Sequence, residues 1–426
     1  MIRGMAQQNE PTSIIVTRKN HTLSRKQISP NALKVLYRLQ RSGYKAYLVG
    51  GSIRDILLKQ PTKDFDVVTN AHPEEISELF SNSMIIGRRF RLVHIKFQNE
   101  IIECSTFRAH HDNDANNSNG PIIRSDNTFG SIEDDVWRRD FTVNALYYNL
   151  EDFSIIDYTG GLIDLRRRVM RIIGDPLTRF KEDPVRLLRA IRLAAKLNFT
   201  LHPETESQVK TQQALLSQVP SSRLFHEWLK LFFHGYAVVT YRKMQEYGYL
   251  DELFPVIGQA LESRQCQSDQ LLIDRALEAT DERFQTRQSI NPGFLMAVLF
   301  WPVVCLHHDA LANEKLKPAV RFVRAIDQAL AETHHLIRLP SRMIHMMKSM
   351  WRMQKHLEFP TPRRVDSLYG QRYFRAAFDL LELRAHSGEI RFKWPQWWQS
   401  YQNGSTKIRL KMLRKLQSER KNHGAK

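Results

Sequence analysis

The pattern of apolar and polar positions divides the chain into two regions. Before Asp175, the short apolar runs "AYLV" (46–49), "DFDVVT" (64–69), "RLVHIKF" (91–97) and "IIECSTF" (101–107) predict strands that alternate with helices. After Asp175, apolar residues recur at helical spacing and strand patterns almost disappear. The sequence therefore predicts an α/β head with a small mixed sheet and helices, followed by an elongated all-α neck, body and tail.

Local composition places the boundaries of these parts. Residues 1–28 are polar and without pattern, which predicts a flexible N-terminal arm, and Ser29-Pro30 then predicts the start of a helix. The Asn- and Asp-rich stretch 110–127 predicts a mobile loop. The predicted parts are the head at 29–174, the neck at 175–240, the body at 241–403 and a basic tail at 404–426.

The net charge of the chain indicates the class of partner that it binds. Lys and Arg outnumber Asp and Glu by 63 to 45, which leaves a formal net charge of +18. Such an excess favours a polyanion, either nucleic acid or an anionic membrane surface. No apolar run is long enough to predict a membrane span. Cys104, Cys266 and Cys305 form no CxxC pair, which argues against structural zinc and favours a reducing compartment. We therefore expect a cytoplasmic protein that binds a polyanion.

Asp64 and Asp66 stand one residue apart in a predicted strand, so their side chains are expected on one face. Two ionised carboxylates that close repel each other, and burial adds to the cost. A divalent cation relieves the repulsion, and hard oxygen ligands suit Mg²⁺. The pattern thus indicates a metal site for phosphoryl transfer. The alternative is a pair of aspartates at a strand end that cap a turn or pair with Lys63.

The stretch "LVGGSIRD" (48–55) places two glycines between a predicted strand and a helix start. Gly50 and Gly51 let the backbone approach a phosphate, and Arg54 can add a bidentate contact. Any tight turn favours glycine, so this pattern gains meaning only beside the paired aspartates.

Glu103 stands in the middle of the predicted strand "IIECSTF", among apolar residues. A carboxylate at this place is either a metal ligand or the base that accepts a proton from an attacking hydroxyl. The alternative is an outward-facing residue on an edge strand.

Longer segments carry a family resemblance: "YLVGGSIRD" (47–55), "KDFDVVTNAHPEEI" (63–76), "FGSIEDDVWRRDFTVNAL" (129–146) and "EDPVRLLRAIRLAAKL" (182–197). In this order and spacing they resemble the class II nucleotidyltransferase superfamily, which contains bacterial poly(A) polymerases and tRNA CCA-adding enzymes. "GRRFRLVHIKF" (87–97), "IIECSTFRAHH" (101–111) and the basic C-terminus are more similar to the poly(A) polymerase branch.

The resemblance implies a role for each matching position. Two Mg²⁺ ions would be held by Asp64 and Asp66. The implied catalytic residues are acidic: Asp64, Asp66, Glu103 and Asp140. The triphosphate would be bound by Arg54 and by Gly50 and Gly51, which we call the glycine turn. The ribose and phosphates would be contacted from "RRDF" by Arg138 and Arg139. The base would be contacted from the neck by Asp183 and Arg186.

The spacing of the neck residues agrees with this role. Asp183, Arg186 and Arg189 stand at i, i+3 and i+6, on one side of a predicted helix. An Asp–Arg pair offers an acceptor and a fork of donors, which can recognise a base edge. The alternative is a solvated ion pair.

The resemblance implies a template-independent polymerase that transfers AMP from ATP to RNA 3′ ends and promotes RNA turnover. ATP and RNA 3′ ends are the expected partners, with RNA bound by the neck and body. The basic tail is expected to contact RNA-degradation machinery, and the chain is expected to be a monomer. The alternatives are a tRNA CCA-adding enzyme and a non-catalytic RNA-binding protein.

Overall fold

The computed structural model describes residues 13–87, 91–109, 128–264, 266–333 and 335–423, with side chains described as far as residue 418. The chain divides between Leu215 and Leu216 into two compact units, which we call the N-terminal unit and the C-terminal unit. Residues 1–12 of the predicted arm, residues 88–90 of the "GRRF" segment and the predicted loop at 110–127 lie outside the described residues.

The N-terminal unit is built around a mixed sheet, as predicted. Its strands are β1 Ile14–Val16, β2 Ala46–Val49, β3 Asp66–Thr69, β4 Ser83–Ile86, β5 Leu92–Lys96, β6 Ile101–Thr106, β7 Leu146–Asn149, β8 Ile155–Asp157, β9 Val169–Met170 and β10 Thr200–Leu201. The sheet has the order β1-β8-β7-β2-β3-β6-β5-β4, and only β3 and β6 pair in parallel. The strands β9 and β10 form a separate parallel pair.

Helices cover the sheet and continue beyond it. They are α1 Pro30–Arg41, α2 Gly51–Leu57, α3 Pro73–Leu79, α4 Ile132–Arg138, α5 Gly161–Arg167, α6 Pro176–Glu182, α7 Val185–Leu197 and α8 Pro203–Thr211. Short 3₁₀ helices lie at Arg18–Asn20, Arg25–Gln27, Thr142–Asn144 and Gln213–Gln218. The predicted start of α1 is confirmed, because Ser29 Oγ accepts the Asn31 N–H and Pro30 is the first helical residue.

Alternation along the strands separates two cores. Leu48 and Val67 join the larger core, to which α1 and α3 contribute, whereas Val49 and Val68 join a smaller core on the opposite face. Asp66 pairs with Val49 and therefore lies on the face of the smaller core. This face carries the candidate site.

Two predictions about elements are corrected, and one strand was not predicted. The arm predicted at 1–28 contains the edge strand β1, which pairs with β8, and Leu23 is fully buried. The helix predicted over "SIEDDVWRRDFTVNAL" ends at Arg138, because Arg139 is extended and the chain turns before β7. The strand β4 has no predicted counterpart, and it is found at the far edge of the sheet.

The C-terminal unit is helical over its described residues. Its helices are α9 Ser221–Phe232, α10 Ala237–Glu246, α11 Tyr249–Leu253, α12 Pro255–Arg264, α13 Gln267–Gln285, α14 Pro292–Leu299, α15 Trp301–Ala310, α16 Pro318–Ala331, α17 Ser341–Glu358, α18 Pro362–Tyr369, α19 Phe374–His386, α20 Lys393–Asn403 and α21 Thr406–His423, with a 3₁₀ helix at Leu311–Asn313. Its largest fully buried side chains include Trp228, Trp351 and Trp398.

One stretch of the C-terminal unit has the length and apolar composition of a membrane-spanning helix. It runs over Pro292–Asn313, and 61% of its most apolar window is buried inside the fold. Helical stretches of this length and apolar composition also occur in the cores of soluble proteins, where they are mostly buried. Within the described ranges, no other helix has these properties.

Candidate active site

Asp66 and Glu103 lie side by side across the parallel strands β3 and β6. Asp66 pairs with Glu103 on one side and with Val49 of β2 on the other. Because paired residues project from the same face, their side chains form a row across the sheet, which we call the acidic row. His94 of β5 continues this row, and its Nε2 lies 3.2 Å from Glu103 Oε1. Since β6 has a strand on each side, the interpretation of Glu103 as an edge-strand residue is wrong.

Asp64 lies two residues before β3, which begins at Asp66, so only Asp66 belongs to the strand. Its side chain is exposed, whereas that of Asp66 is half-buried. Both nevertheless line one cavity together with Glu103. Burial raises the pKa of Asp66 to about 6, with the charges of Glu103 and Asp64 adding to the effect and Arg139 opposing it. The structure therefore brings three of the four predicted carboxylates together, Asp64, Asp66 and Glu103, and their charges repel one another.

The donor chemistry of this group suits a hard cation. No three His, Cys, Asp or Glu side chains in the described part of the chain form a ready-made metal site. Asp64 and Asp66 would instead supply two carboxylates and leave further positions to water and substrate phosphates, as is usual for Mg²⁺. A cation there would also relieve the repulsion that raises the pKa of Asp66. Asp64 and Asp66 thus remain the predicted Mg²⁺ ligands.

The glycine turn passes directly beside the acidic row. Gly50 adopts φ +84° and ψ −143°, a conformation that almost only glycine tolerates. A Cβ atom at Gly50 would lie 3.6 Å from Asp66 Oδ2, and one at Gly51 would lie 3.3 Å from Arg54 Nη2. The Gly50 backbone therefore passes beside Asp66 with no side chain between them, which is the property that a turn needs to approach a phosphate closely.

Arg54 is only 3% exposed, and protein groups occupy its guanidinium. Its Nε donates to Asp55 Oδ1 at 2.8 Å, and its Nη1 donates to Asn144 Oδ1. Lys196 of α7 donates to Asp55 Oδ2 at 3.2 Å. Arg54 therefore joins α2 to the 3₁₀ turn before β7 and, through Asp55, to α7. Its predicted contact with a triphosphate would replace part of this network.

The side chain of Asp140 is 11% exposed and binds α7 through Arg189. Its Oδ2 accepts from Nε of Arg189 at 2.9 Å and also from Nη2, while Oδ1 accepts from Asn144 Nδ2 at 3.2 Å and from the Phe141 N–H at 2.8 Å. Burial opposes ionisation, but the Arg189 charge and these hydrogen bonds hold the pKa of Asp140 well below its usual range. Asp140 lines neither of the two cavities that border the acidic row. Protein donors therefore already occupy the Asp140 carboxylate, and its catalytic role stays a prediction.

A cavity of about 270 Å³ borders the acidic row, and we call it the arginine cavity. It is lined by Val49, Asp66, Leu92, Glu103, Ser105, Arg108, Asp135, Arg138 and Arg139. Arg139 Nη2 donates to Asp135 Oδ2 at 2.7 Å, and Arg139 Nε donates to Tyr147 OH at 2.7 Å. Burial lowers the pKa of Arg139, but Asp135 and Tyr147 outweigh it and raise the pKa. These partners fix the guanidinium at the cavity wall.

Arg138 and Arg108 concentrate further positive charge in the same cavity. Burial lowers the pKa of Arg138 to about 9, and the charges of Arg108, Arg179, Arg186 and Arg139 lower it as well. Burial also lowers the pKa of Arg108. Mutually repelling guanidinium groups at one wall attract a polyanion, and they match the bidentate geometry of phosphate oxygens.

The neck residues differ from their predicted arrangement. Asp183 precedes α7, because it is the extended residue before Pro184, so it does not share a helix face with Arg186 and Arg189. Arg186 is 8% exposed and donates to Glu182 Oε2 at 3.1 Å and to the Arg179 carbonyl at 2.9 Å. Arg189 binds Asp140. The interpretation of these residues as a solvated ion pair is therefore wrong for Arg186, and their contact with a base stays a prediction.

A second cavity, of about 950 Å³, borders the acidic row on the side of the β5–β6 hairpin, and we call it the hairpin cavity. It is lined by Lys63, Asp64, Phe65, Asp66, His94, Lys96, Phe97, Gln98, Asn99, Glu100, Ile101 and Glu103. Asp66 and Glu103 belong to both cavities. The acidic row therefore forms the wall that the two spaces share.

Several residues of the site were absent from the predictions. Arg108 lies two residues after β6, the strand that carries Glu103, and this position was its only signal in the sequence. Asp135 stands four residues before Arg139, the spacing of a helical ion pair, so this partner was visible in principle. Tyr147 reaches the same group from β7, and only the sheet order brings it there.

Known families match three parts of the chain. The family described as "Poly A polymerase head domain" matches residues 46–171, which include the acidic row and the glycine turn. The family "Probable RNA and SrmB- binding site of polymerase A" matches residues 198–261. The family "Polymerase A arginine-rich C-terminus" matches residues 314–426.

Individual relatives agree with these matches. Poly(A) polymerase I of Salmonella typhimurium is 41% identical over 420 residues, which cover 96% of this chain and 90% of that protein. A CCA-adding enzyme of Lactobacillus helveticus is 38% identical over 202 residues, which cover 47% of this chain and 49% of that enzyme. A solved structure of a CCA-adding enzyme in an apo form has the same fold, with a TM-score of 0.63, 20% identity, and coverage of 89% of this chain and 85% of that one. The chain therefore belongs to the poly(A) polymerase family of nucleotidyltransferases.

Proposed function

We propose that this chain transfers AMP from ATP to the 3′-hydroxyl of RNA without a template and releases pyrophosphate. The observation that carries the proposal is the acidic row, which lies between the glycine turn and the arginine cavity. The similarity of nearly the whole chain to a Poly(A) polymerase I supports ATP as the nucleotide. We place the reaction in the cytoplasm, with a monomeric chain.

The arginine cavity binds the triphosphate in this proposal. Arg108, Arg138 and Arg139 offer their guanidinium groups to the non-bridging oxygens and stabilise the charge that develops on the leaving pyrophosphate. Because Gly50 carries no side chain, the backbone approaches the phosphates beside Asp66. Asp135 and Tyr147 keep Arg139 in place, so the positive wall is formed before the substrate binds.

The acidic row activates the attacking hydroxyl. Glu103 has a side chain that is 53% exposed on the shared wall, and it accepts the hydroxyl proton, with His94 beside it. Mg²⁺ ions bound at Asp64 and Asp66 would supply Lewis-acid stabilisation of the α-phosphate and of the leaving group.

The other predicted parts keep their proposed roles. Asp183 and Arg186 would contact the base, with Arg186 fixed in position by Glu182. Arg54 and Asp140 would act on the nucleotide indirectly, since both already bind protein groups that join the sheet to α7. The neck at 175–240 and the body at 241–403 would bind RNA, and the basic tail would contact RNA-degradation machinery.

A CCA-adding activity is the second candidate. It is favoured by the match of about half the chain to a CCA-adding enzyme, and disfavoured by the nearly complete match to a Poly(A) polymerase I. A non-catalytic RNA-binding protein is disfavoured by the acidic row, because the half-buried Asp66 carboxylate, repelled by its acidic neighbours, lowers stability without a compensating function.

Primer extension with each of the four nucleoside triphosphates separates these candidates. The full chain is given Mg²⁺ and either an unstructured RNA or a tRNA that lacks its CCA end. Long products with ATP alone on both RNAs are the result that we expect. Products that require CTP, stop after CCA and form only on tRNA would assign the second candidate, and no product on either RNA would leave only RNA binding.

A further inference from the structure

The hairpin cavity has no part in holding the nucleotide in the function proposed above. We propose that it binds the 3′-terminal nucleotide of the RNA primer, an inference that rests on that function. Its lining and its place along β6 carry the argument.

The two cavities follow one another along a single strand. Ile101, Glu103 and Ser105 alternate onto the same face of β6, with Glu103 in both cavities. Ile101 lines the hairpin cavity and Ser105 lines the arginine cavity. At about 3.3 Å per residue, these ends are roughly 13 Å apart. The shared carboxylates therefore lie near the middle of a continuous path.

The chemistry assigns the two ends of this path. In an in-line displacement, the attacking and leaving oxygens lie on opposite sides of the reacting phosphorus. The guanidinium groups of the arginine cavity suit the leaving pyrophosphate. If the α-phosphate lies at the acidic row, the attacking 3′-hydroxyl must then enter from the hairpin cavity.

The lining of the hairpin cavity suits the end of a single-stranded RNA. Lys63 and Lys96 are exposed and can contact backbone phosphates as point charges. Gln98 and Asn99 offer amide groups to ribose hydroxyls. Ile101 is 49% exposed, and it offers an apolar surface to a base without preference for its identity.

Acidic groups in the lining do not oppose this ligand. Glu100 Oε2 accepts hydrogen bonds from Ser29 Oγ at 2.5 Å and from Asn31 Nδ2 at 3.0 Å, so the start of α1 already binds this carboxylate. The other carboxylates lie at the acidic row, where the reacting hydroxyl arrives.

The hairpin itself is held in place before RNA binds. The Phe97 N–H donates to the Glu100 carbonyl at 2.7 Å, which closes the turn. The Lys96 N–H donates to the Asn82 carbonyl at 2.9 Å, and Asn82 Nδ2 donates to the Lys96 carbonyl at 2.6 Å. Lys96 therefore extends from a fixed backbone.

The test replaces both lysines in the full chain, as Lys63→Gln with Lys96→Gln, and measures ATP incorporation into a short unstructured RNA. We expect the KM for RNA to rise several-fold while the KM for ATP stays unchanged. The slope of log RNA affinity against log salt should fall by about 0.7 for each lost phosphate contact. The matched control, Lys34→Gln with Lys45→Gln, removes the same charge outside both cavities and should leave every value unchanged. Lys63→Arg with Lys96→Arg should restore most of the affinity.

A crosslinking measurement on the unaltered chain does not depend on how the variants fold. An RNA with a photoreactive base at its 3′ end should crosslink within residues 97–101. If the chain incorporates ATP, either of two results would overturn the inference. One is crosslinks confined to other segments, and the other is an unchanged KM for RNA in the folded glutamine variant. A rise only in the KM for ATP would also overturn it. Failure of the unaltered chain to incorporate ATP would overturn the proposed function, and this inference with it.

Discussion

The partly buried pair of Asp140 and Arg189 allows a quantitative prediction about stability. Arg189→Met keeps the apolar stem but leaves Asp140 with only the Asn144 amide and the Phe141 N–H as donors. Removing one partner of a buried ion pair costs about 3–5 kcal/mol. The side chain of Arg189 is 34% exposed, so water replaces part of its effect, and we expect a loss of roughly 2–3 kcal/mol in the free energy of unfolding.

The assay is urea unfolding of the full chain at neutral pH, with hydrogen exchange in α7 to localise the loss. The folded pKa of Asp140 lies below its unfolded value, so its stabilising effect is fully present above that unfolded value, near 4, and is lost only as the pH falls through the lower folded value.

The double variant Arg189→Met with Asp140→Asn removes the uncompensated charge, so it should be more stable than Arg189→Met alone. Strictly additive losses, or a loss below about 0.5 kcal/mol for Arg189→Met, would refute the idea that Asp140 acts by holding α7. If Asp140→Asn instead abolished incorporation with unchanged stability and unchanged exchange in α7, Asp140 would belong to the chemistry.

Two further predictions concern the glycine turn and the C-terminal unit. Gly50→Ala should cost about 1–3 kcal/mol of stability through backbone strain and should raise the KM for ATP. Its control is Gly43→Ala, because Gly43 also has a positive φ of +86° but open space around it. This control should lower stability without changing the KM for ATP. Arg384→Met should lower the unfolding free energy of the C-terminal unit by about 3–5 kcal/mol, since buried Arg384 binds Glu389 and Glu358. Its control, Arg375→Gln, removes an i,i+4 pair whose arginine is 72% exposed, and should cost less than about 1 kcal/mol. Equal losses in the two variants would contradict this reasoning.

Local patterns predicted the elements that frame the site. The strands β2, β3, β5 and β6 lie where short apolar runs predicted them, and α1 begins at its predicted cap. Period-two alternation left Glu103 open between a functional position and an outward-facing position on an edge strand, and only the sheet order shows that its strand is internal. The resemblance to the nucleotidyltransferase superfamily, based on joint motif order, is confirmed by the family matches.

Contacts between distant segments could not be predicted in this way. The strand β1 is short and largely exposed, and only its pairing with β8 makes it a strand. Asp140 and Arg189 lie 49 positions apart, so no local pattern links them. The spacing of Asp183, Arg186 and Arg189 predicted one helix for all three, but α7 begins only after Pro184, so Asp183 lies outside it.

The most direct test of the proposed reaction replaces two carboxylates of the candidate site: Asp66, which belongs to the acidic row, and Asp64, which lines the hairpin cavity. Asp64→Asn, Asp66→Asn and the double variant are compared with Glu78→Gln, which removes one exposed charge from the same unit. The measurement is ATP incorporation into an unstructured RNA, with RNA affinity and unfolding recorded on the same samples. We predict that incorporation falls to background in every aspartate variant, while RNA affinity and unfolding stay close to those of Glu78→Gln. Retained incorporation in a folded double variant would contradict the account.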